Sequence, residues 1–304
     1  MHALTVRVAA GSVDAVSDLF SEAHAALSVA IEDADAGSAA ERPVFDEPGS
    51  GDVARWQQAR LTALFGDEVA ATGAAAALAA GPLGDGARIE AIALVDDRDW
   101  VRLTQAQFGP TEIEPDFWIV PTWSAVPAGA RHVIRLDPGM AFGTGTHPTT
   151  RMCLRWIARQ AATRASPWER VLDYGCGSGV LAIAAGLFGA AAVDAVDIDP
   201  DAIEATHANA LANRVALRAG SSEAIDGAYS LIVANILATP LRLLAPLFAA
   251  RLAAGGELVL SGILATQADL LRESYAPWLA LQVSDTDDGW ILMTGTAVPG
   301  RPVA

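Results

Sequence analysis

A glycine-rich turn between an apolar strand and an apolar helix is the feature that most constrains the fold. The sequence predicts a buried strand at 170–174 (RVLDY), a tight turn at 175–179 (GCGSG) and a helix at 180–189 (VLAIAAGLFG). Glycine has no Cβ atom, so such a turn can tighten and its backbone can approach a ligand closely. Open α/β sheets bind ligands beyond the carboxyl ends of their strands, which is where this turn lies.

Strand and helix patterns alternate after residue 131 and predict a parallel sheet covered by helices. The further predicted segments are strands at 191–199, 215–220, 229–235 and 256–263 and helices at 200–214 and 240–254. Two final strands, 279–285 and 290–297, would be joined by a short turn around Asp287, Asp288 and Gly289 and form an antiparallel edge. We therefore expect a seven-stranded, Rossmann-like α/β domain over residues 131–304.

The first part of the chain predicts a second, smaller domain. Strand, helix, strand, strand, helix and strand patterns follow one another at 4–9, 12–25, 26–32, 60–65, 67–80 and 87–95. This βαββαβ order favours a ferredoxin-like α+β domain over residues 1–96. Residues 97–130 contain three tryptophans and four prolines and predict an interdomain connector. Packing is favoured over a binding surface for these tryptophans, because large aromatics mainly contribute buried area.

Net charge separates the two parts of the chain. Residues 1–126 hold 20 acidic and 7 basic residues, whereas the remainder holds 16 and 13. An acidic first domain repels nucleic-acid phosphates and suits a basic partner, and a solvated face that only maintains solubility is the open alternative. All 20 basic residues are arginines. Without lysine, Walker-A phosphate binding and a pyridoxal Schiff base are excluded.

Cysteine usage and the absence of targeting patterns indicate an intracellular chain. The two cysteines, Cys153 and Cys176, fit neither a disulfide framework nor a paired metal-ligand spacing. No hydrolase or zinc-protease motif is present, and we expect no metal site. The first residues lack a secretory signal pattern, and no apolar run reaches the about 20 residues of a membrane span. We therefore expect a cytoplasmic protein without membrane contact. A monomer is also expected.

Two acidic residues near the glycine turn indicate which nucleotide it binds. Asp197 follows Gly179 by 18 residues, close to the interval of about 20 expected for an acid that holds ribose hydroxyls. Asp173 precedes the turn, and its carboxylate suits a cation better than a pyrophosphate. The turn spacing is G-x-G-x-G, not the G-x-G-x-x-G of dinucleotide sites. These features favour S-adenosyl-L-methionine, which carries a sulfonium and an ammonium group but no phosphate. We predict that Gly175, Gly177, Gly179 and Asp197 bind this cofactor.

Five ordered motifs resemble those of the bacterial ribosomal protein L11 methyltransferases. They are LDPGMAFGTGTHPTTRMCL, LDYGCGSGVLAIAA, VDIDPDAIEATHANA, VANILATPLRLLAP and LSGIL. Residues 1–96 match that family mainly in element order. Residues 99–123 resemble its connector, except that Leu103 and Thr104 stand where the family usually has glutamate and tryptophan. The resemblance implies a class I S-adenosyl-L-methionine-dependent methyltransferase that acts on lysine side chains and the N-terminal α-amine of ribosomal protein L11, presented by the first domain.

The same motif matching implies that Thr150, Gly175, Asp197 and Asn235 contact the cofactor. The loop at 136–150, with Gly143, Gly145 and His147, would fold over the methionine end of the cofactor. Alternatively, Thr149 or Thr150 only caps the helix predicted at 151–162, as Asp199 before Pro200 is predicted to cap the helix after it.

Asn235 and Thr150 are the predicted catalytic residues. Asn235 ends the fourth strand of the sheet, where the reactive methyl group should lie, and its amide could orient an amine. The sequence Asn235-Ile-Leu-Ala lacks the prolines and aromatic residue of base-modifying relatives. Its aliphatic residues would suit a lysine stem, although a plain buried strand end is the alternative.

Only a neutral amine can attack the sulfonium methyl group. At pH 7 a free lysine is neutral in roughly one molecule in 2,500, a cost of about 4.6 kcal/mol, and an α-amine costs only about 1 kcal/mol. No side chain in the motifs has to act as a general base, so catalysis is assigned to proximity, alignment and removal of water. Two rival functions stay open: a methyltransferase of this fold acting on another basic protein, a small amine or RNA, and a non-catalytic binding module.

Overall fold

The structure, a computed structural model, describes residues 1–36, 56–95, 108–137 and 145–297. The chain divides into two compact units, Met1–Thr104 and Gln105–Ala304. The roles predicted for residues 1–96, 97–130 and 131–304 stay predictions. The two departures from the family pattern, Leu103 and Thr104, lie outside the described residues.

The first unit contains a four-stranded antiparallel sheet. Its elements are β1 (His2–Ala9), α1 (Val13–Asp18), β2 (Ser28–Asp33), β3 (Gln58–Phe65), α2 (Glu68–Ala80) and β4 (Arg88–Leu94). The strands lie in the order β2-β3-β1-β4, and every neighbouring pair is antiparallel. The predicted ferredoxin-like βαββαβ domain is therefore confirmed.

Alternation along the central strands builds the core of this unit. Leu4, Val6 and Val8 of β1 are fully buried, whereas the residues between them are only partly covered. Alternation of buried and partly covered residues is expected for a strand with one face against helices. Asp67 is the N-cap of α2, and its side chain accepts a hydrogen bond from the Ala70 N–H at 2.8 Å.

The second unit contains ten strands and six α-helices among its described residues. A small sheet comprises β5 (Thr111–Glu114), β6 (Phe117–Val120) and β7 (His132–Arg135). The remaining elements are α3 (Pro148–Thr163), β8 (Val171–Tyr174), α4 (Val180–Leu187), β9 (Val193–Val196), α5 (Pro200–Ala212), β10 (Arg218–Gly220), β11 (Tyr229–Asn235), α6 (Ala238–Leu243), α7 (Ala245–Arg251), β12 (Leu252–Leu264), α8 (Ala268–Tyr275), β13 (Gln282–Asp287) and β14 (Trp290–Thr296).

The large sheet has the order β10-β9-β8-β11-β12-β14-β13. The first five of these strands are parallel, and β14 and β13 are antiparallel. The seven-stranded prediction with an antiparallel edge is therefore confirmed. The strands β9 and β10 lie on one side of β8 in the sheet, whereas the later strands β11 and β12 lie on its other side. At such a reversal of strand order a crevice opens at the carboxyl ends of the strands.

Local chemistry sets the hairpin between the last two strands. Asp288 and Gly289 both have positive φ, 50° and 77°, between the paired residues Asp287 and Trp290. A two-residue turn of this kind matches the twist of its strands, and Asp-Gly is a preferred sequence for it.

The helix predicted at 240–254 is wrong as a single element. The structure has two helices, α6 and α7, that meet at Leu244, and β12 begins at Leu252. Pro246 lies in the first turn of α7, where its missing N–H needs no partner. The same ring would clash with the carbonyl of the residue four positions earlier in a continuous helix.

Two further observations concern the length of the helices and the two cysteines. No helix among the described residues is long and apolar enough to cross a membrane. Cys153 and Cys176 are both buried thiols without a disulfide.

Candidate functional site

The glycine turn after β8 depends on backbone angles that other residues rarely adopt. Gly175, Gly177 and Gly179 have φ values of 75°, 52° and 78°. For a residue with a Cβ atom, this left-handed backbone conformation costs about 1–2 kcal/mol. The three glycines are therefore required by the path of the backbone between β8 and α4.

A close approach to Ile236 explains a second requirement at Gly175. A Cβ atom built on Gly175 would lie 2.3 Å from Cγ2 of Ile236, the residue that follows β11. Gly262 in β12 has a φ of 82°, and its Cβ atom would lie 2.4 Å from the Ile236 carbonyl oxygen. Both glycines therefore let backbone segments converge on Ile236. This contact accounts for the glycine of the LSGIL motif, whose role the sequence alone does not reveal.

Asp197 lies just beyond β9 and is tied to the glycine turn. Its Oδ2 accepts a hydrogen bond from the Gly177 N–H at 2.9 Å, and its Oδ1 accepts one from the Asp199 N–H at 3.1 Å. The side chain is half-buried, and a carboxylate has about four acceptor positions. The carboxylate is thus fixed in direction while acceptor capacity is left for a ligand.

Of the two residues that follow Asp197, Asp199 confirms one prediction and Ile198 is a residue that sequence reasoning missed. Asp199 caps α5, because its Oδ1 accepts a hydrogen bond from the Asp201 N–H at 2.9 Å. Ile198 is 91% exposed, an unusual state for a large apolar side chain. The signal for it in the sequence is an isoleucine between two aspartates. Its position beside Asp197 offers an apolar surface next to a carboxylate.

Thr150 and Asn235, which are 85 residues apart in sequence, are in contact. The Asn235 Nδ2 donates a hydrogen bond to the Thr150 Oγ1 at 3.2 Å. Thr150 is only 1% exposed in the first turn of α3, whereas Asn235 ends β11. The Asn235 Oδ1 is buried and accepts no hydrogen bond from any described residue. A buried acceptor without a partner is costly, which marks this oxygen as a binding position.

The structure excludes the capping alternative for Thr149 and Thr150. The helix α3 begins at Pro148, earlier than predicted, and His147 is its N-cap. The His147 Nδ1 accepts a long hydrogen bond of 3.4 Å from the Thr149 N–H and lies 2.7 Å from the Thr149 Oγ1. Burial lowers the pKa of His147, and the nearby Arg151 guanidinium lowers it further.

The loop ahead of α3 is only partly described. Gly143 lies outside the described residues, and Gly145 has a φ of 85°. Folding of this loop over a cofactor therefore stays a prediction. The imidazole ring of His147 lies edge-on to the indole ring of Trp290, with 5.2 Å between the ring centroids.

Asp173 lies beneath the turn, which differs from the position expected for a carboxylate that faces a cation. Its side chain is 1% exposed, and its Oδ2 accepts a hydrogen bond from the Ala182 N–H at 2.9 Å. The Oδ1 accepts no hydrogen bond from the part of the chain described. Burial raises the pKa of Asp173 to about 7, the Asp197 carboxylate adds to the shift, and the Ala182 hydrogen bond opposes it.

Two polar side chains of α5 that sequence reasoning missed contact the turn. The Thr206 Oγ1 donates toward the Gly177 carbonyl oxygen at 3.0 Å and lies 3.2 Å from the Cys176 Sγ. The Asn209 Nδ2 donates a hydrogen bond to the Ser178 carbonyl oxygen at 2.8 Å. Their presence within a helix pattern carries no specific signal in the sequence.

Contacts join most of the predicted site residues into one continuous arrangement. Asp197 bonds to Gly177, the turn at Gly175 contacts Ile236, and the neighbouring Asn235 bonds to Thr150. The predicted residue Gly179 instead packs against α5. Cofactor contact by these residues stays a prediction. The arrangement places a carboxylate at one end of this chain of contacts and a buried amide oxygen without a partner at the other.

Comparisons with known proteins agree on one family. The family described as Ribosomal protein L11 methyltransferase (PrmA) matches residues 1–297. The ribosomal protein L11 methyltransferase of Polaromonas sp. is 55% identical over 269 residues, which cover 88% of this chain and 90% of that protein. The protein of that name from Cupriavidus necator is 46% identical over 294 residues, 96% of each chain. Among solved structures, ribosomal protein L11 methylase from Lactobacillus delbrueckii subsp. bulgaricus has a TM-score of 0.58 and 32% identity, covering 63% of this chain and 100% of that chain.

Proposed function

Because the chain belongs to the ribosomal protein L11 methyltransferase family, we propose that it methylates lysine side chains and the N-terminal α-amine of ribosomal protein L11. The chain is a protein methyltransferase, and its cofactor is S-adenosyl-L-methionine. The observation that supports amines as acceptors is the buried, unpaired Asn235 Oδ1 at the end of β11.

The residues at the carboxyl edge of the sheet fit this cofactor. The Asp197 carboxylate would accept hydrogen bonds from the ribose hydroxyls, and the exposed Ile198 side chain would cover one face of the adenine. Gly175 and Gly177 would let the backbone approach closely, and Gly179 keeps the turn against α5. S-Adenosyl-L-methionine supplies a methyl group on a positively charged sulfur. A site without lysine or arginine among these contacts suits a cation and not a phosphate.

Asn235 would orient the incoming amine, because its Oδ1 would accept a hydrogen bond from one N–H of the amine. The contact between Nδ2 and Thr150 fixes the amide so that Oδ1 faces the other way. An amine that donates one N–H to this oxygen keeps its lone pair available for attack on the methyl group. Thr150 therefore acts through Asn235 in addition to any contact with the cofactor.

Only a neutral amine has the lone pair that attacks the methyl group. Because neither Asn235 nor Thr150 can take up a proton at neutral pH, the proton of the amine has to pass to water before the attack. For a lysine acceptor this costs about 4.6 kcal/mol at pH 7. Burial of the amine beside a positive sulfur lowers its pKa and reduces that cost. The contribution of this chain is then alignment of the amine and removal of water.

The strand end also suits an aliphatic acceptor. Leu237, two residues after Asn235, is 40% exposed and could contact the methylene groups of a lysine side chain. The acidic first domain, residues 1–96, is proposed to present the basic substrate protein, and residues 97–130 to connect it to the catalytic domain at 131–304. We further propose a cytoplasmic location, since the substrate belongs to the ribosome, and a monomeric state. Direct binding of nucleic acid is not expected, because the 20 acidic and 7 basic residues of 1–126 would repel phosphates.

A methylation assay with purified unmodified L11 tests this function. The full chain would be incubated with methyl-labelled S-adenosyl-L-methionine and either L11 or ribosomal RNA. We expect label only in L11, on lysine side chains and the N-terminal amine when peptides are sequenced by mass spectrometry. Label in RNA alone, or no transfer to any acceptor, would contradict the proposal.

Asn235→Ala tests orientation of the amine, and calorimetric binding of S-adenosylhomocysteine to the same variant measures the loss of any cofactor contact. We expect kcat for L11 methylation to fall by at least about 10-fold, since a hydrogen bond in the reacting complex is worth about 1.5 kcal/mol or more. Thr150→Ser, which keeps the hydroxyl group, is the matched control and should retain most of the activity. A variant at Asn235 with undiminished kcat would rule out the orienting role.

A further inference from the structure

We propose that Thr206 and Asn209 are positioning residues that hold the glycine turn in the shape that binds the cofactor. Neither residue belongs to the predicted site, and both lie on α5, behind the turn. The inference rests on the proposed use of the turn for S-adenosyl-L-methionine. It adds a second layer of residues on which affinity for that cofactor depends.

One face of α5 holds two successive carbonyl groups of the turn. Thr206 donates toward the Gly177 carbonyl oxygen at 3.0 Å, and Asn209 donates to the Ser178 carbonyl oxygen at 2.8 Å. Residues three positions apart lie next to each other on a helix, so both donors point in the same direction. Thr206 is fully buried and Asn209 is half-buried, which shields these hydrogen bonds from water.

The two carbonyl contacts fix the orientation of the peptide groups. In a planar trans peptide the N–H points away from the C=O of the same unit. Holding the carbonyl groups of Gly177 and Ser178 against α5 therefore sets the direction of the N–H groups that follow them. It also keeps these carbonyl dipoles from turning toward a ligand on the other side of the turn.

Gly177 is held at both of its backbone groups. Its N–H donates to the Asp197 Oδ2 at 2.9 Å, and its carbonyl oxygen accepts from Thr206. Asp199, two residues after Asp197, is the N-cap of α5, so the acid and the helix are also linked along the chain. The helix thus couples the position of the proposed ribose-binding carboxylate to the position of the turn.

The methyl group of Thr206 fits the space left by Gly179. A Cβ atom on Gly179 would lie 2.8 Å from the Thr206 Cγ2 and 3.1 Å from the Thr206 Cα. The turn therefore packs directly on the helix backbone, and Thr206 combines this contact with its hydrogen bond. Ala202 and Ala210 of α5 are also buried, and Ala210 belongs to the hydrophobic core of the domain.

Calorimetric binding of S-adenosylhomocysteine to the full chain tests the inference. Thr206→Val keeps the shape of the side chain but removes the donor, and we expect its Kd to rise by about 3- to 10-fold, the range for one lost hydrogen bond. Thr206→Ser keeps the donor and should stay within about 2-fold of the parent chain. Tyr275→Phe is the matched control, because it removes a buried hydrogen bond of 2.7 Å to the Leu241 carbonyl oxygen in another part of the domain. It should lower the thermal midpoint without changing Kd.

A second variant and a second measurement cover the case in which Thr206→Val does not fold. Asn209→Ala should also raise Kd by about 3- to 10-fold. In both variants, amide hydrogen exchange of the ligand-free chain should accelerate at residues 176–179 but not throughout the domain. Unchanged Kd values with thermal midpoints lowered as in Tyr275→Phe would overturn the inference and leave a purely structural role. Failure of the parent chain to bind S-adenosylhomocysteine would instead refute the proposed function itself.

Discussion

Replacing Gly175 with alanine should distort the glycine turn for two separable reasons. The residue has a φ of 75°, which costs a side-chain-bearing residue about 1–2 kcal/mol. The new Cβ atom would also lie 2.3 Å from the Ile236 Cγ2, and overpacking of this kind costs about 1–3 kcal/mol. Together we expect Gly175→Ala to lower the free energy of unfolding by about 2–5 kcal/mol.

Two other glycines supply controls for the backbone strain and for the overpacking. Gly189 has a φ of 93° but nothing within 4 Å of its Cβ position, so Gly189→Ala should cost only the strain of about 1–2 kcal/mol. Gly73 in α2 has neither positive φ nor a close neighbour, so Gly73→Ala should stabilise the first unit by about 0.5–1 kcal/mol.

Urea unfolding of the three variants, together with calorimetric binding of S-adenosylhomocysteine, measures both consequences. Gly175→Ala should bind the product cofactor more weakly than the parent chain, and Gly189→Ala should bind it equally well. The reasoning fails if Gly175→Ala is no more destabilising than Gly189→Ala, because Gly175 then makes no close approach to Ile236. It also fails if binding by Gly175→Ala is unchanged.

Three further predictions concern charge and thiol chemistry at the same edge. Asp197→Ala should weaken binding of S-adenosylhomocysteine by at least about 10-fold in calorimetry, because one hydrogen bond to a charged acceptor is worth about 1.5–3 kcal/mol. The raised pKa of Asp173, about 7 in the fold and about 3.9 when unfolded, favours the protonated folded state. This stabilisation is present below pH 4 and is lost as the pH rises through 7. The unfolding free energy of the parent chain should therefore fall by at most about 4 kcal/mol across that range, and Asp173→Asn should not show this fall. Burial raises the pKa of Cys176 to about 12, so iodoacetamide at neutral pH should label this thiol only after denaturant is added.

Local patterns predict those parts of the fold whose structure depends on neighbouring residues. The strand β11 begins and ends where its apolar run predicts, at Tyr229 and Asn235. The Asp288-Gly289 turn follows from the angles that these two residues tolerate. The break at Leu244 was missed because a long helical pattern outweighed the proline at position 246, although that proline supplies the physical reason for the break.

Long-range contacts explain what the sequence could not show about the site. Strand β8 is buried along most of its length, so alternation does not reveal which way Asp173 points. The role of Gly262 depends on its approach to Ile236, and that of Thr206 on its approach to Gly177. Such pairs come together only when separate elements pack. A glycine within a strand indicates a bulge or a close approach but not its partner, and Thr206 fits the pattern of its helix.

The position of bound S-adenosylhomocysteine in a crystal of this chain tests the central claim most directly. The account predicts ribose hydroxyls on the Asp197 carboxylate, backbone contacts along Gly175 and Gly177, and the sulfur atom on the side of the site where Asn235 lies. Electron density for the nucleoside at any other surface of the chain, or a ribose that does not contact Asp197, would contradict it.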